Sequence, residues 1–500
     1  MTCEVSIQKV NDVWIRVIAE PSIKMDMSEY FTFEVPGAKF SPKVKSGMWD
    51  GKIRMLNGMT GMIYLGLKDR VIEFLERRGI EYELDDRLVI DNDIPEDAGH
   101  HLAKKFDTLF ECRDYQNEAV VAALKNERML MLSPTSSGKS FIIYLIARYH
   151  AARGRKVLLL VDSKSLLKQM GQDNFPNYNK NRELSFGYYN AGEVPEVVEH
   201  DMTLCLYQSI AKNVAPWFDQ FDVILCDEAH KYKAMSLKNL MEKTTKIRYK
   251  IGFTGTIDGA KSNEWTLNGV FGETHQIITT KELMDEGSVS EFDISILTLK
   301  YDDSVVRRYR NCKKNKKEKK ITYHDESEFL KTLEERDDFL VRLMEARDGV
   351  SLLLLKHVEH VETIAEKLTE RVDRPVHMIV GKLSSDERES IRQNVNKSKD
   401  AIIVATYGTM STGVDIPSIT TLVMGFPYKS RITVLQSIGR ALRVTDRGKA
   451  KVFDIVDDLT IGRLKNYTLK HLNERVKIYT QEQFDYTFKT VKIKGKDNGQ

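Results

Sequence analysis

The chain has 500 residues, 41% hydrophobic and 30% charged, enough apolar material for several cores and, at roughly 150 residues each, about three domains. Lysine and arginine number 76 against 73 acids, a net charge of +3, so any surface suited to a polyanion must be local. No run of about 18 apolar residues occurs, which excludes a membrane-spanning helix.

The opening Met1-Thr2-Cys3-Glu4-Val5 lacks the basic-then-apolar pattern of a secretory signal, so a cytoplasmic protein is expected. The five cysteines are scattered and never in CxxC spacing. That speaks against disulfides and a zinc site.

Residues 1–100 carry short alternating runs, 13–18 and 31–35, broken by Pro21, Pro36 and Pro42 and followed by closely spaced glycines. They predict a small α+β domain, with a helix over 71–78. Within it, residues 39–54 hold five basic residues and one acid. Lys43, Lys45, Lys52 and Arg54 around Trp49 form a candidate nucleic-acid surface, unless Trp49 packs into the core. The acidic stretch 91–97 suits a linker.

From residue 112 the pattern is regular. Continuous apolar runs at 129–132, 157–161, 203–206, 222–226 and 249–253 alternate with longer stretches, and the pattern resumes at 352–355, 376–380, 401–404, 420–424 and 452–456. Strands buried on both faces have this composition. Two sets of βα units predict two doubly wound parallel sheets, here given as domains 101–290 and 291–485. Residues 301–320 carry nine basic residues and three acids, a solvated helix face or a backbone-contacting patch. Residues 486–500 read as a polar tail.

The run at 129–132 leads into Ser133-Pro134-Thr135-Ser136-Ser137-Gly138-Lys139-Ser140 and then a helical pattern. A strand, a loop ending in Gly-Lys-Ser and a helix make a phosphate cradle. Gly138 allows close backbone approach, and the amides of Ser136, Ser137 and Gly138 face the phosphates. Lys139 supplies a point charge, and Ser140 a hydroxyl for Mg²⁺. Serine stands at 133 where the usual pattern has glycine.

Asp227-Glu228-Ala229-His230 follows another apolar run. Adjacent carboxylates at a strand end need a cation to neutralise them. Asp227 is assigned to Mg²⁺ and Glu228 to the attacking water. Arg440 and Arg443, three apart on one helical face, suit an arginine finger. Gly413 suits a loop close to ligand, and Asp415 a ribose hydroxyl.

The order of these motifs resembles that of the superfamily 2 helicases. The resemblance covers residues 110–460 and implies two tandem RecA-like domains closing on ATP and Mg²⁺. It makes Arg113 and Gln116 the adenine-reading segment and Asp227 to His230 a DEAH box. His230, Thr254 and Thr256 become the elements that couple hydrolysis to motion; Thr254-Gly255-Thr256 stands where the family often has Ser-Ala-Thr. Gln436 joins Arg440 and Arg443 in a catalytic motif. Ser163, Lys164, Gln169, Gln208, Ser209 and Thr406 fall on strand-contacting motifs.

The phosphate loop and the run Phe40-Ser41-Pro42-Lys43, with Gly47 to Arg54, resemble the tailed-phage recombination helicases of the UvsW type. That implies unwinding or branch migration of forked DNA, recombination intermediates and RNA–DNA hybrids, 3′ to 5′, by a monomer in the host cytoplasm. An RNA helicase, a duplex translocase and an ATP-switched clamp share parts of this pattern and remain alternatives.

Overall fold

The computed structural model describes residues 4–35, 37–90, 92–178, 184–189, 194–213, 215–231, 234–257, 261–313, 320–398, 400–410, 416, 419–428, 430–440 and 449–496, with the backbone only at Ser165, 234–237, Ser385, Asp386, Glu389, Asn396, Met410, Ile432 and Arg440. The chain divides into two compact units at 278/279, not at the expected 290/291, with residues 135–137 grouped with the second.

The N-terminal segment forms β1 (Val5–Lys9), β2 (Trp14–Ile18), β3 (Thr32–Glu34), β4 (Lys52–Arg54), β5 (Met62–Tyr64) and β6 (Tyr82–Leu84). Four of these make a mixed sheet in the order β5-β2-β1-β6; β3 and β4 pair separately. Alternation puts Val5, Ile7, Ile15 and Val17 inside. Two helices cover them, Pro21–Tyr30 and Lys68–Glu76. Pro21, read from sequence as a break, instead opens a helix at its first turn, where no amide is needed.

This segment does not stand apart; it belongs to the same unit as the first large sheet. Trp265, on the helix Lys261–Phe271, packs against Phe31 and Phe33 with ring centres 5.4 and 4.7 Å away. The guanidinium of Arg70 lies over the same indole. Tyr64 donates a 2.6 Å hydrogen bond to Glu242, and the buried Lys250 donates to the Asp12 carbonyl at 2.7 Å. A Cβ on Gly66 would lie 2.2 Å from the Asn268 carbonyl, so the two layers meet backbone to backbone.

The first large sheet contains β7 (Arg128–Leu132), β8 (Val157–Val161), β9 (Phe186–Tyr189), β10 (Met202–Leu206), β11 (Val223–Cys226), β12 (Tyr249–Thr254) and β13 (Thr274–Gln276). All are parallel, ordered β13-β7-β12-β11-β8-β10-β9. Cys205 and Cys226 are core residues, and burial pushes the Cys205 thiol up to about 12.

The second sheet contains β14 (Phe292–Tyr301), β15 (Val350–Leu355), β16 (Val376–Ile379), β17 (Ala401–Thr406), β18 (Ile419–Met424), β19 (Ala450–Asp458) and β20 (Tyr486–Ile493), again all parallel, ordered β16-β17-β15-β18-β19-β14-β20. These are tandem RecA-like domains preceded by a small α+β domain.

All ten apolar runs are strands. The expected polar tail is not one: β20 pairs along its whole length with β14. Beyond it, the Gly495 amide donates to Asp302 at 2.6 Å and the Lys496 amide to Glu335 at 2.9 Å. An edge strand needs only backbone pairing and one half-covered face, so its sequence can be polar.

Candidate nucleotide site and nucleic-acid-facing edge

In a doubly wound sheet the carboxyl ends of the strands form the binding edge. The loops after β7, β8, β10, β11 and β12 bring the expected residues of the first domain to that edge.

After β7 the backbone turns through Ser136 (φ +70°) and Gly138 (φ +77°) and enters the helix Lys139–Ala151. Glycine takes such a conformation freely. Serine does so at a cost of about 1–3 kcal/mol, the kind of strain found at ligand sites. Gly138 has a second reason to lack a side chain, because a Cβ would meet Gln116 Nε2 at 2.3 Å. Gln116 is buried, and its Oε1 accepts from the Arg113 amide at 3.1 Å. The expected adenine-reading segment therefore abuts the phosphate loop. Ser140 is half-buried in the first turn of the same helix.

Lys139 Nζ lies 2.7 Å from Asp227 Oδ1 and 2.8 Å from Glu228 Oε1. Burial by itself would lower the ammonium's pKa; the two carboxylates more than offset it, and the group is held firmly charged. Burial raises Asp227, and Lys139 offsets only part of that. Burial would also raise Glu228, but Lys139, with Lys231 nearby, holds it well below the usual carboxylate range. Glu228 is itself left-handed (φ +49°), and its amide donates to Asp227 Oδ1 at 2.9 Å. Its Oε2 is buried without a hydrogen-bond partner.

His230 Nδ1 lies 2.6 Å from Thr254 Oγ1 and 3.4 Å from Glu228 Oε2. The Thr254 hydroxyl donates to the Thr256 carbonyl at 2.9 Å. Its single proton thus used, it accepts from His230, which fixes the Nδ1–H tautomer. Burial lowers the His230 pKa and keeps the ring neutral. A hydrogen-bonded chain thus runs His230–Thr254–Thr256 beside the Lys139–Glu228 ion pair, with Glu228 Oε2 3.4 Å from His230 Nδ1, and the group joins loops after three different strands. Sequence spacing alone does not show it.

Ser163 Oγ accepts from the Leu166 amide at 3.3 Å, capping the helix that Lys164 begins. Lys164 is exposed, and Gln169 opens a wide helical turn just beyond. Gln208 is exposed and donates to the Asp162 carbonyl at 3.3 Å, tying the loop after β10 to that after β8. Ser209 Oγ is buried without a hydrogen-bond partner. The Lys231–Asp162 pair, 2.8 Å, joins the acidic loop to the same corner and was not foreseen.

In the N-terminal domain, Lys43, Lys45 and Lys52 are exposed. Arg54 is paired with Asp50 at 2.5 Å. Trp49 is half-buried, outside the apolar core, and its indole N–H donates to the Lys52 carbonyl at 2.9 Å. In the second domain, Thr406 is buried with its hydroxyl against that of Thr409; it caps a turn and shows no exposed face. Gln436 is half-buried on the helix Arg431–Arg440. The side chain of Arg440, and all of Arg443, Gly413 and Asp415, lie outside the described residues.

Among the described residues no group of three or more His, Cys, Asp or Glu could hold a metal. One buried carboxylate, Asp227, and one helix-start serine, Ser140, are a sparse donor set. It fits Mg²⁺, which keeps waters and takes further oxygens from substrate phosphates.

Three family models match the chain: a UvsW N-terminal DNA-helicase model over residues 5–85, a model for the type III restriction enzyme res subunit over 109–259, and the helicase conserved C-terminal domain over 335–445. The ATP-dependent DNA helicase uvsW of Enterobacteria phage T4 is 28% identical over 502 residues, covering 96% of this chain and 98% of that protein. The DNA 3′-5′ translocase XPB2 of Sulfurisphaera tokodaii is 25% identical, covering 69% and 81%. The crystal structure of T4 UvsW superposes with a TM-score of 0.51 at 26% identity, over 98% and 99% of the two chains. A type I restriction HsdR fragment from Vibrio vulnificus, 15% identical with a TM-score of 0.55, shares the fold. With both RecA-like sheets in place, these likenesses support a superfamily 2 helicase of the UvsW type, an enzyme that hydrolyses ATP.

Proposed function

We propose that the protein is an ATP-dependent DNA helicase of recombination and repair that unwinds or branch-migrates forked DNA and RNA–DNA hybrids in the 3′ to 5′ direction. The observation that carries this reading is the ammonium of Lys139 seated on Asp227 and Glu228, with Glu228 linked through His230 to Thr254. Its likeness to a phage DNA helicase along nearly the whole chain supports DNA as the polymer.

Lys139 moves from the carboxylates to the incoming β- and γ-phosphates. Glu228 then loses the charge that holds its pKa down, and burial raises it toward that of a working base. Its free Oε2 accepts a proton from the attacking water. A magnesium ion held by Ser140 and Asp227 would neutralise phosphate charge. Gln116 and Arg113 take the adenine. Arg440 and Arg443 supply charge, and Gln436 a side-chain amide donor, for the γ-phosphate, and Gly413 and Asp415 take the ribose. His230, Thr254 and Thr256 pass the loss of phosphate to the neighbouring loops.

The nucleic acid is held through its backbone by Ser163, Lys164, Gln169, Gln208 and Ser209, and by Lys43, Lys45, Trp49, Lys52 and Arg54; Thr406, buried against Thr409, is not among them. The N-terminal domain spans about residues 1–100, the second RecA-like unit begins at Thr279 and includes β20, and the chain acts as a monomer in the host cytoplasm.

The test is ATP turnover with forked DNA, linear duplex, single-stranded RNA and no polymer, beside strand separation on substrates with 3′ or 5′ tails. Strong stimulation by forked DNA and unwinding only from a 3′ tail are expected. Stimulation by RNA alone, or none by any polymer, rejects the reading.

A further inference from the structure

The carboxyl edge of the second sheet carries a cluster that none of the motifs above uses. Lys356 follows β15 directly, and its ammonium lies 4.5 Å from the ring centre of Tyr323 and 5.2 Å from that of Phe426. Tyr323 packs edge-on to Tyr467 at 6.1 Å and against His471 at 5.4 Å. Phe426 packs against Tyr428 at 6.2 Å. Phe426 is fully buried, Tyr323 and Tyr428 are half-buried, and Tyr467 is 37% exposed, so the cluster has a buried base and an open face.

Its rim is cationic. Lys470 lies 5.5 Å from the Tyr467 ring centre. Arg463 and Lys465, in the turn before Tyr467, are exposed, as is Leu464 between them.

Three buried polar anchors hold the segments that carry these rings. Glu326, fully buried, accepts from the amides of Tyr467 and Thr468 at 2.8 and 2.7 Å, from Asn466 at 2.9 Å and from the Tyr309 hydroxyl at 2.8 Å. Arg336, also buried, pairs with Asp457 at 2.9 Å and donates to the Gly425 carbonyl. Arg475 pairs with Asp454 at 2.8 Å and donates to the Tyr428 carbonyl at 3.3 Å. Buried ion pairs are a poor source of stability compared with apolar packing; their better-attested use is to fix one arrangement. Here each anchor ends on a segment that presents an aromatic ring to the edge.

We propose that this surface is a stacking platform for the bases of single-stranded nucleic acid, with Tyr467 and Tyr323 offering ring faces and Lys356 and Lys470 meeting the adjoining phosphates. Rings interleaved with cations suit a strand whose bases are unpaired and whose backbone is anionic; a duplex hides its base faces. The proposal deepens the helicase reading and rests on it.

The test is fluorescence anisotropy with the full chain, using a labelled oligothymidylate and an abasic oligonucleotide of the same length. Stacking on one aromatic side chain is worth about fivefold to a hundredfold in affinity. Tyr467→Ala is expected to weaken oligothymidylate binding by about tenfold while leaving the abasic strand bound as before; Tyr467→Phe is expected to bind both like the native chain. Tyr467→Leu, which keeps apolar bulk without a ring, repeats the test if the alanine protein does not fold. Native-like oligothymidylate binding by the ringless variant, or equal losses on both strands, overturns the platform and leaves the helicase reading standing. A native chain that binds neither oligonucleotide overturns both.

Discussion

The side-chain amide of Gln116 occupies the space that a Cβ at residue 138 would need, 2.3 Å away. Gly138 also sits at φ +77°, where any other residue is strained. The proposed adenine-reading segment and the proposed phosphate loop therefore set each other's position. Gly138→Ala must either displace Gln116 or rearrange the loop. It is expected to weaken binding of a fluorescent ATP analogue by about tenfold or more, with a strain cost of about 1–2 kcal/mol in denaturant unfolding.

Glu228→Gln keeps the shape of the acidic loop but removes the proposed base. Binding of ATP should persist, while turnover in the presence of forked DNA falls by about 10²–10⁴-fold. Lys139→Ala should lose binding as well as turnover, since it removes the phosphate contact. Parallel measurement of affinity and rate separates the two roles.

Thr254 accepts from His230 and donates to the Thr256 carbonyl, so its hydroxyl is the middle of a relay. Thr254→Val preserves volume and deletes the hydroxyl. Strand separation per ATP hydrolysed should drop severalfold, with turnover changed less. Equal loss of both would make Thr254 part of the chemistry instead.

Trp265 is the apolar link between the N-terminal domain and the first RecA-like domain. Trp265→Ala should cost about 3–5 kcal/mol in the unit that contains it. Two separated transitions in denaturant, where one is expected of the native first unit, would report that the N-terminal domain had come loose.

His150 is buried on the helix that follows the phosphate loop, and burial, with the charges of Arg155 and Arg153, holds its pKa down to about 3. Unfolded, it titrates near 6.5. Between those values only the unfolded chain takes up the proton, so stability is full above pH 6.5 and declines as the pH falls. The slope is at most about 1.4 kcal/mol per pH unit, or about 2 kcal/mol between pH 6.5 and 5. His150→Leu should flatten that slope in urea titrations; an unchanged slope would assign it to other groups.

The ten apolar runs, the Gly-Lys-Ser loop and the paired carboxylates were legible in the chain because each depends on local chemistry. A strand buried on both faces must be apolar throughout, and a phosphate loop needs glycine, lysine and a hydroxyl in consecutive positions. β9, β13, β14 and β20 were not legible. β9, β13 and β20 are edge strands that need only backbone pairing with one neighbour, which leaves much of their sequence unconstrained; β14 lies inside its sheet but interrupts its buried Phe292, Ile294 and Ile296 with polar residues, unlike the continuous apolar runs.

Only the tertiary structure decided that the N-terminal segment is packed on the first RecA-like domain. That packing depends on Trp265 and on the lack of a side chain at Gly66, more than 190 residues apart in sequence. It alone also decided that His230 reaches Thr254, that Gln116 abuts Gly138, and that three buried polar anchors hold the segments that carry Tyr467, Phe426 and Tyr428. Such contacts depend on strand order and register, and no spacing along a single chain encodes which strand will lie beside which.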